Sequence, residues 1–115
     1  MADSTPFKNG QFLGALNGLM VQNSYTDSIG TSATTVASSI STAVSAVAFD
    51  NVGSDPVYIK FNGTASVADD GFDLCVPAGL SKSVFTFTKP DGTALTSISA
   101  ISSGSGVTFN TVLHG

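Results

Sequence analysis

Three carboxylates crowd the run Ala68-Asp69-Asp70-Gly71-Phe72-Asp73. Calcium takes several oxygen ligands at short range, and a glycine lets such a loop turn sharply. The run lacks the EF-hand spacing and its bidentate Glu, and the chain contains no Glu at all. It therefore reads as a solvated turn, with no metal assigned. Nucleophilic chemistry would need Cys75 or a serine within reach of a base. The single histidine, His114, is the penultimate residue and reads as part of a flexible tail. Cys75, between Leu74 and Val76, reads as a small apolar strand residue. Paired Asp residues could serve a glycosidase, but 115 residues leave little room for a cleft. Metal catalysis lacks histidine ligands. The expectation is a protein that is not an enzyme, with no catalytic residue, cofactor or metal.

The binding motifs resolve in the same direction. Asn62-Gly63-Thr64 fits a glycosylation acceptor, yet Asn-Gly is also a tight-turn signal, and without an export segment the turn is the better reading. Gly104-Ser105-Gly106 lacks the third glycine and the strand–helix setting of a dinucleotide loop, and reads as a hairpin turn. Tyr25 and Tyr58 could stack on a sugar ring, although the chain has no Trp. Tyr58, on the same strand face as Lys60, reads first as a cross-strand packing residue.

Bulk composition excludes further classes. Only 10% of residues are charged, against about 25% in ordinary soluble domains, and every acid is Asp and every base Lys. The net charge is −4, and Lys8, Lys60, Lys82 and Lys89 are scattered. Phosphate backbones require clustered Lys and Arg, so no nucleic-acid partner is expected. A single cysteine allows no intrachain disulfide. Residues 28–49 carry no charge until Asp50, but Ser and Thr fill them where a membrane span would be predominantly apolar. The run Phe12–Met20 resembles a signal core, but Asn17 and Gly18 interrupt it and Asp3 precedes it. The expectation is a protein without a membrane segment, made and held in the cytoplasm of the producing cell.

The elements that would position these residues are strands. Val57, Ile59 and Phe61 fall on one face, and Tyr58, Lys60 and Asn62 on the other. Gly53, Ser54, Asp55 and Pro56 turn the chain ahead of them, after the alternation that begins at Val47 and Phe49. Further strands are expected at 72–76, ended by Pro77-Ala78-Gly79, and at 80–88, closed by the turn Lys89-Pro90-Asp91-Gly92. Ile98 and Ile101 stand three apart, which predicts a bulge or corner. Val107, Phe109 and Leu113 return to one face. Short strands at this spacing predict an all-β chain: a small antiparallel β-sandwich or barrel, jelly-roll or Ig-like, over residues 43–115. Residues 1–42 are read as an N-terminal arm and linker, with 28–45 a linker or edge strand. In the arm, Gly10, Gly14 and Gly18 interleave with Phe12, Leu13, Leu16, Leu19 and Met20, apolar residues that need cover from this domain or from a neighbouring subunit.

Taken in series, Asn51-Val52-Gly53, Pro56-Val57-Tyr58-Ile59, Pro77-Ala78-Gly79, Ile98-Ser99-Ala100-Ile101-Ser102 and Gly106-Val107 resemble the small β-sandwich virion proteins of tailed bacteriophages. The resemblance covers about Ala48 to Leu113 and rests on turn and core signatures, so it carries over no functional residue. Cys75 ahead of the Pro-Ala-Gly turn departs from that pattern. The resemblance implies a virion structural protein, most simply a capsid decoration (cement) protein. Its partners would be the major capsid protein and further copies of itself, with a trimer as one possible form. Phe12, Leu13, Leu16, Leu19, Met20 and Tyr58 are the candidate interface. The alternatives are a neck, tail or head-fibre base component and a carbohydrate-binding attachment module.

Overall fold

The structure is a computed structural model that describes residues 20–86 and 94–115. Of the candidate interface, Phe12, Leu13, Leu16 and Leu19 lie outside the described residues, as do Phe87 and the turn at 89–92. Eight strands follow in order: β1 (Val21–Ile29), β2 (Thr34–Ala37), β3 (Ala46–Asn51), β4 (Val57–Phe61), β5 (Leu74–Val76), β6 (Ser81–Phe85), β7 (Ile98–Ser102) and β8 (Val107–His114). No helix among the described residues is long and apolar enough to cross a membrane.

Strand period and residue type account for most of these elements. In β8, Val107, Phe109, Thr111 and Leu113 are buried and alternate with Thr108, Asn110, Val112 and His114. That is the period of two expected when one sheet face meets the core. β3 buries Val47, Phe49 and Asn51, and β4 buries Val57 and Ile59 while Tyr58 and Lys60 take the other face.

The strands form two four-stranded sheets in the orders β1-β8-β3-β6 and β2-β7-β4-β5. Every strand pairing is antiparallel. Successive strands alternate between the sheets, except that β4 and β5 are neighbours in the second. β8 returns between β1 and β3, and β7 between β2 and β4. This is the winding of a jelly roll, two Greek keys rolled into a sandwich.

Three expectations change at this level. Gly104-Ser105-Gly106 is not a hairpin turn, because it joins β7 in one sheet to β8 in the other. Glycine marks the reversal, with Gly106 at φ +70°, but says nothing about whether the flanking strands pair. Ile98 and Ile101 need no bulge within β7, which runs in regular register with β4, so Ile98 faces the core and Ile101 lies opposite Tyr58 on the outer face. The irregularity falls on the facing β2, between Thr35 and Ala37 opposite Ser99 and Ile98. Residues 21–37, read with the arm and linker, supply β1 and β2, one to each sheet. Both are edge strands, and β1 is exposed along most of its length, so no apolar alternation announces it.

Between the sheets, the Phe49 ring stacks on Phe109 at 5.8 Å and meets Phe61 at 6.4 Å. One buried polar group ties the layers. Asn51 in β3 donates from Nδ2 to the Val76 carbonyl of the opposite sheet (3.0 Å) and to the Asp55 carbonyl (2.8 Å). Its Oδ1 accepts from the Gly53 N–H at 2.9 Å. The amide is fully paired inside an apolar layer, which is the condition for tolerating a buried polar side chain. Gly53 is required there: a Cβ would sit 2.5 Å from Val107 Cγ1.

Candidate functional site

Tyr25 and His114 belong to the first sheet, whereas the Asp cluster, the Asn-Gly pair, Tyr58 and Cys75 lie on or around the outer face of the second. The connection from Asn62 to Asp73 folds back across that face. Ser99 points outward from β7, opposite Lys60, yet only 4% of it is exposed. It is buried because Ala65 lies over it, with the Ala65 N–H donating to Ser99 Oγ at 2.9 Å. The Phe72 ring then covers Tyr58, with centroids 4.8 Å apart and planes tilted by 56°. Tyr58 is thus half-buried packing for a loop, in line with its cross-strand reading, and offers no bare aromatic platform.

The polar side chains of this connection anchor it. Asp73 Oδ2 accepts from the Phe61 N–H at 2.9 Å, and Oδ1 meets Lys60 Nζ at 3.4 Å. Asn62 takes φ +58°, donates from Nδ2 to the Ala94 carbonyl at 2.8 Å, and accepts at Oδ1 from the Thr96 and Ser97 N–H groups. The Asn-Gly signal is a turn that also pins residues 94–97, and its acceptor nitrogen is engaged. Asp69 and Asp70 are exposed at the loop tip, away from the bonds made by Asp73. Among the described residues, no three His, Cys, Asp or Glu side chains gather as a metal site would require.

Cys75 is half-buried in β5, opposite Tyr58. His114 is not part of a tail. It ends β8, paired with Val21 on one side and Ala46 on the other, and Gly115 continues the ladder through reciprocal bonds with Met20. The sequence position suggested a free end; the antiparallel return of β8 between two strands ties it down. Cys75 and His114 stand in different sheets.

The outer face of the first sheet has a different character. Its side chains are mostly small and neutral, and its polar groups pair locally. Thr26 Oγ1 donates to Asn110 Oδ1 at 2.8 Å, and Ser81 Oγ to Asp50 Oδ1 at 2.7 Å. The strand registers place Phe85, Ala46, His114 and Val21 in one row across β6, β3, β8 and β1. Phe85, 58% exposed, and Val21, 61% exposed, stand at the two ends of this row, with buried Ala46 and half-buried His114 between them. Met20, 74% exposed, precedes Val21 and by alternation points to the other side of the sheet. At the opposite end of the sheet Val52 is exposed on the outer face, and Leu80, whose carbonyl accepts from the Asn51 N–H, is exposed on the other side. Large apolar side chains left this exposed are candidates for contact with another molecule. The sequence singled out Met20 but missed Phe85, whose alternation does not say which face of β6 meets the core.

A cleft of about 220 Å³ opens between the edge strands β1 and β2, lined by Tyr25, Asp27, Thr35, Val36, Ala37 and Ser38. It is smaller than the roughly 300–1,000 Å³ typical of small-molecule sites.

No protein-family model matches the chain, and neither does any curated protein. Among solved structures, a chain from Bacillus endospore appendages, described as forming a novel family of disulfide-linked pili, is similar at TM-score 0.49 and 14% identity. The likeness covers 84% of this chain and 86% of that one. At that distance it carries nothing about partners or activity.

Proposed function

We propose that the protein is a structural component of a tailed-phage virion: a capsid decoration (cement) protein that buries the bare face of its first sheet against the major capsid protein and neighbouring copies. It would be made in the host cytoplasm and end on the capsid surface. The observation that carries this reading is the exposure of Phe85 and Val21 on a face of small, locally paired polar groups. Burying one large apolar side chain is worth about 1.5–3 kcal/mol. A face with so few free ions leaves little charge to strand on contact. A ligand that binds the assembled shell and not its dissociated subunits stabilises it by mass action, with no catalytic group. Jelly rolls also build lectins, so the fold alone would not choose between shell and sugar. Phe72 lying over Tyr58 favours the shell.

The experiment mixes purified protein with undecorated capsids and measures co-sedimentation, stoichiometry and heat resistance. Binding in many copies per particle with a raised disruption temperature supports a cement protein, and binding in a few copies supports a neck, tail or fibre component. Absence of both binding and protection would sink the reading.

A further inference from the structure

The two outermost strands of the first sheet, β1 and β6, each carry a single charge, and the charges are opposite: Asp27 on β1 and Lys82 on β6. Asp27 pairs with Phe109 and Lys82 with Phe49, so both lie on the core-facing side of the sheet, at margins left open among the described residues. Neither has an ion-pair partner among the described residues. From these margins we infer that the protein associates head to tail with a second copy of itself, β1 of one copy adding antiparallel to β6 of the next.

The hydrogen-bond phase permits this in one register that also joins the charges. Gly115 bonds reciprocally with Met20, while Thr108 accepts from Val52 of the β3 side. Alternate β8 residues therefore serve alternate neighbours. Tyr25 and Asp27 then direct their backbone groups to β8, leaving those of Ser24, Thr26 and Ser28 at the open margin. On β6, Leu80 and Thr86 bond to the β3 side, which leaves Ser81, Ser83 and Phe85 at the other margin. Pairing Ser24 with Phe85, Thr26 with Ser83 and Ser28 with Ser81 satisfies these groups over the whole length of β6. It sets Asp27 directly opposite Lys82 and Tyr25 opposite Val84, as non-hydrogen-bonded pairs, where side chains approach most closely.

Strand direction agrees. Across β1-β8-β3-β6, with every neighbour antiparallel, β1 and β6 run oppositely, so two copies in the same orientation meet antiparallel. An inward charge on an edge strand discourages pairing with an uncharged edge. Here each charge removes the other's penalty, so the margins reject most strands and accept one another. A two-fold β1–β1 pairing would place Asp27 against neutral residues and leave Lys82 unmatched. The head-to-tail contact is heterologous, so it closes into a ring or propagates as a fibre. It needs no capsid, and its test leaves the cement reading untouched.

The experiment measures sedimentation of the purified full chain over a concentration series, with amide exchange at Ser24, Thr26 and Ser28. Association with slowed exchange at those amides is expected. Asp27→Lys and Lys82→Asp should each weaken association roughly fivefold or more by setting like charges opposite. The double charge swap should restore it. Both positions lie at the sheet margin, and circular dichroism of each variant verifies folding. A monomer at all concentrations, a closed two-fold dimer, or association indifferent to the single reversals would overturn the inference.

Discussion

The two sheets share a core but differ on their outer faces. The second sheet carries its own cover: the 62–73 connection buries Ser99 under Ala65, lays Phe72 on Tyr58 and is fastened by Asp73 and Asn62. The first sheet has no such cover from the described residues over Phe85 and Val21. Two residues that looked chemical, Asp73 of the Asp cluster and Asn62 of the Asn-Gly pair, belong to the covered side and hold a loop. Residues that looked like ordinary strand filler stand on the open side. In this protein the paired polar side chains report architecture, and the exposed apolar ones are left for the proposed contact.

Substitutions can break or sharpen that contrast. The largest effect is expected at the amide that couples the sheets. Asn51→Leu should lower unfolding free energy by about 3 kcal/mol, because the buried Val76 carbonyl loses its donor along with the turn bonds to Asp55 and Gly53. Denaturant melts would show it; a loss below about 1 kcal/mol would mean the layers do not depend on this bridge. Phe72→Ala should cost about 1–2 kcal/mol and speed thiol labelling of Cys75, next to Tyr58 in the pairing, as the cover lifts. Unchanged labelling would show that the loop stays down without its ring.

Thr111→Val works in the other direction. Thr111 Oγ1 is buried without a hydrogen-bond partner, so replacing the hydroxyl by a methyl should raise stability by about 1 kcal/mol. A destabilised variant would reveal a partner for that hydroxyl in solution. The smallest effect on folding is expected on the open face. Phe85→Ser should move stability by no more than about 0.5 kcal/mol, since the ring is exposed on an edge strand. The same variant should lose capsid binding, which separates surface from scaffold.

The legible part of the fold was the part with one wet face and one dry one. β3, β4 and β8 could be read because Val47, Phe49, Val57, Ile59, Val107 and Phe109 alternate with polar residues. β2 falls within 28–45, read as a linker or edge strand, and is an edge strand, whereas β1 could not be read as a strand of the sandwich. Residues Val21 to Thr26 are exposed on both sides at an edge, where pairing with β8 and not burial defines the strand. Sheet partners were also hidden, because a Gly-Ser-Gly reversal looks the same whether it closes a hairpin or crosses between layers. Tyr58 was assigned to the correct face, but its cover by Phe72 depends on the path of a long loop. The opposition of Asp27 and Lys82 is a matter of register and phase, neither of which exists until the strands are paired.

The central claim is that the protein acts through the open face of its first sheet. Side-chain footprinting of the free and capsid-bound protein tests it most directly. The account predicts protection of Phe85, His114 and Val21, with Phe72 and Lys60 labelled as in the free protein. Protection confined to the 62–73 loop, or no difference between the two faces, would contradict it.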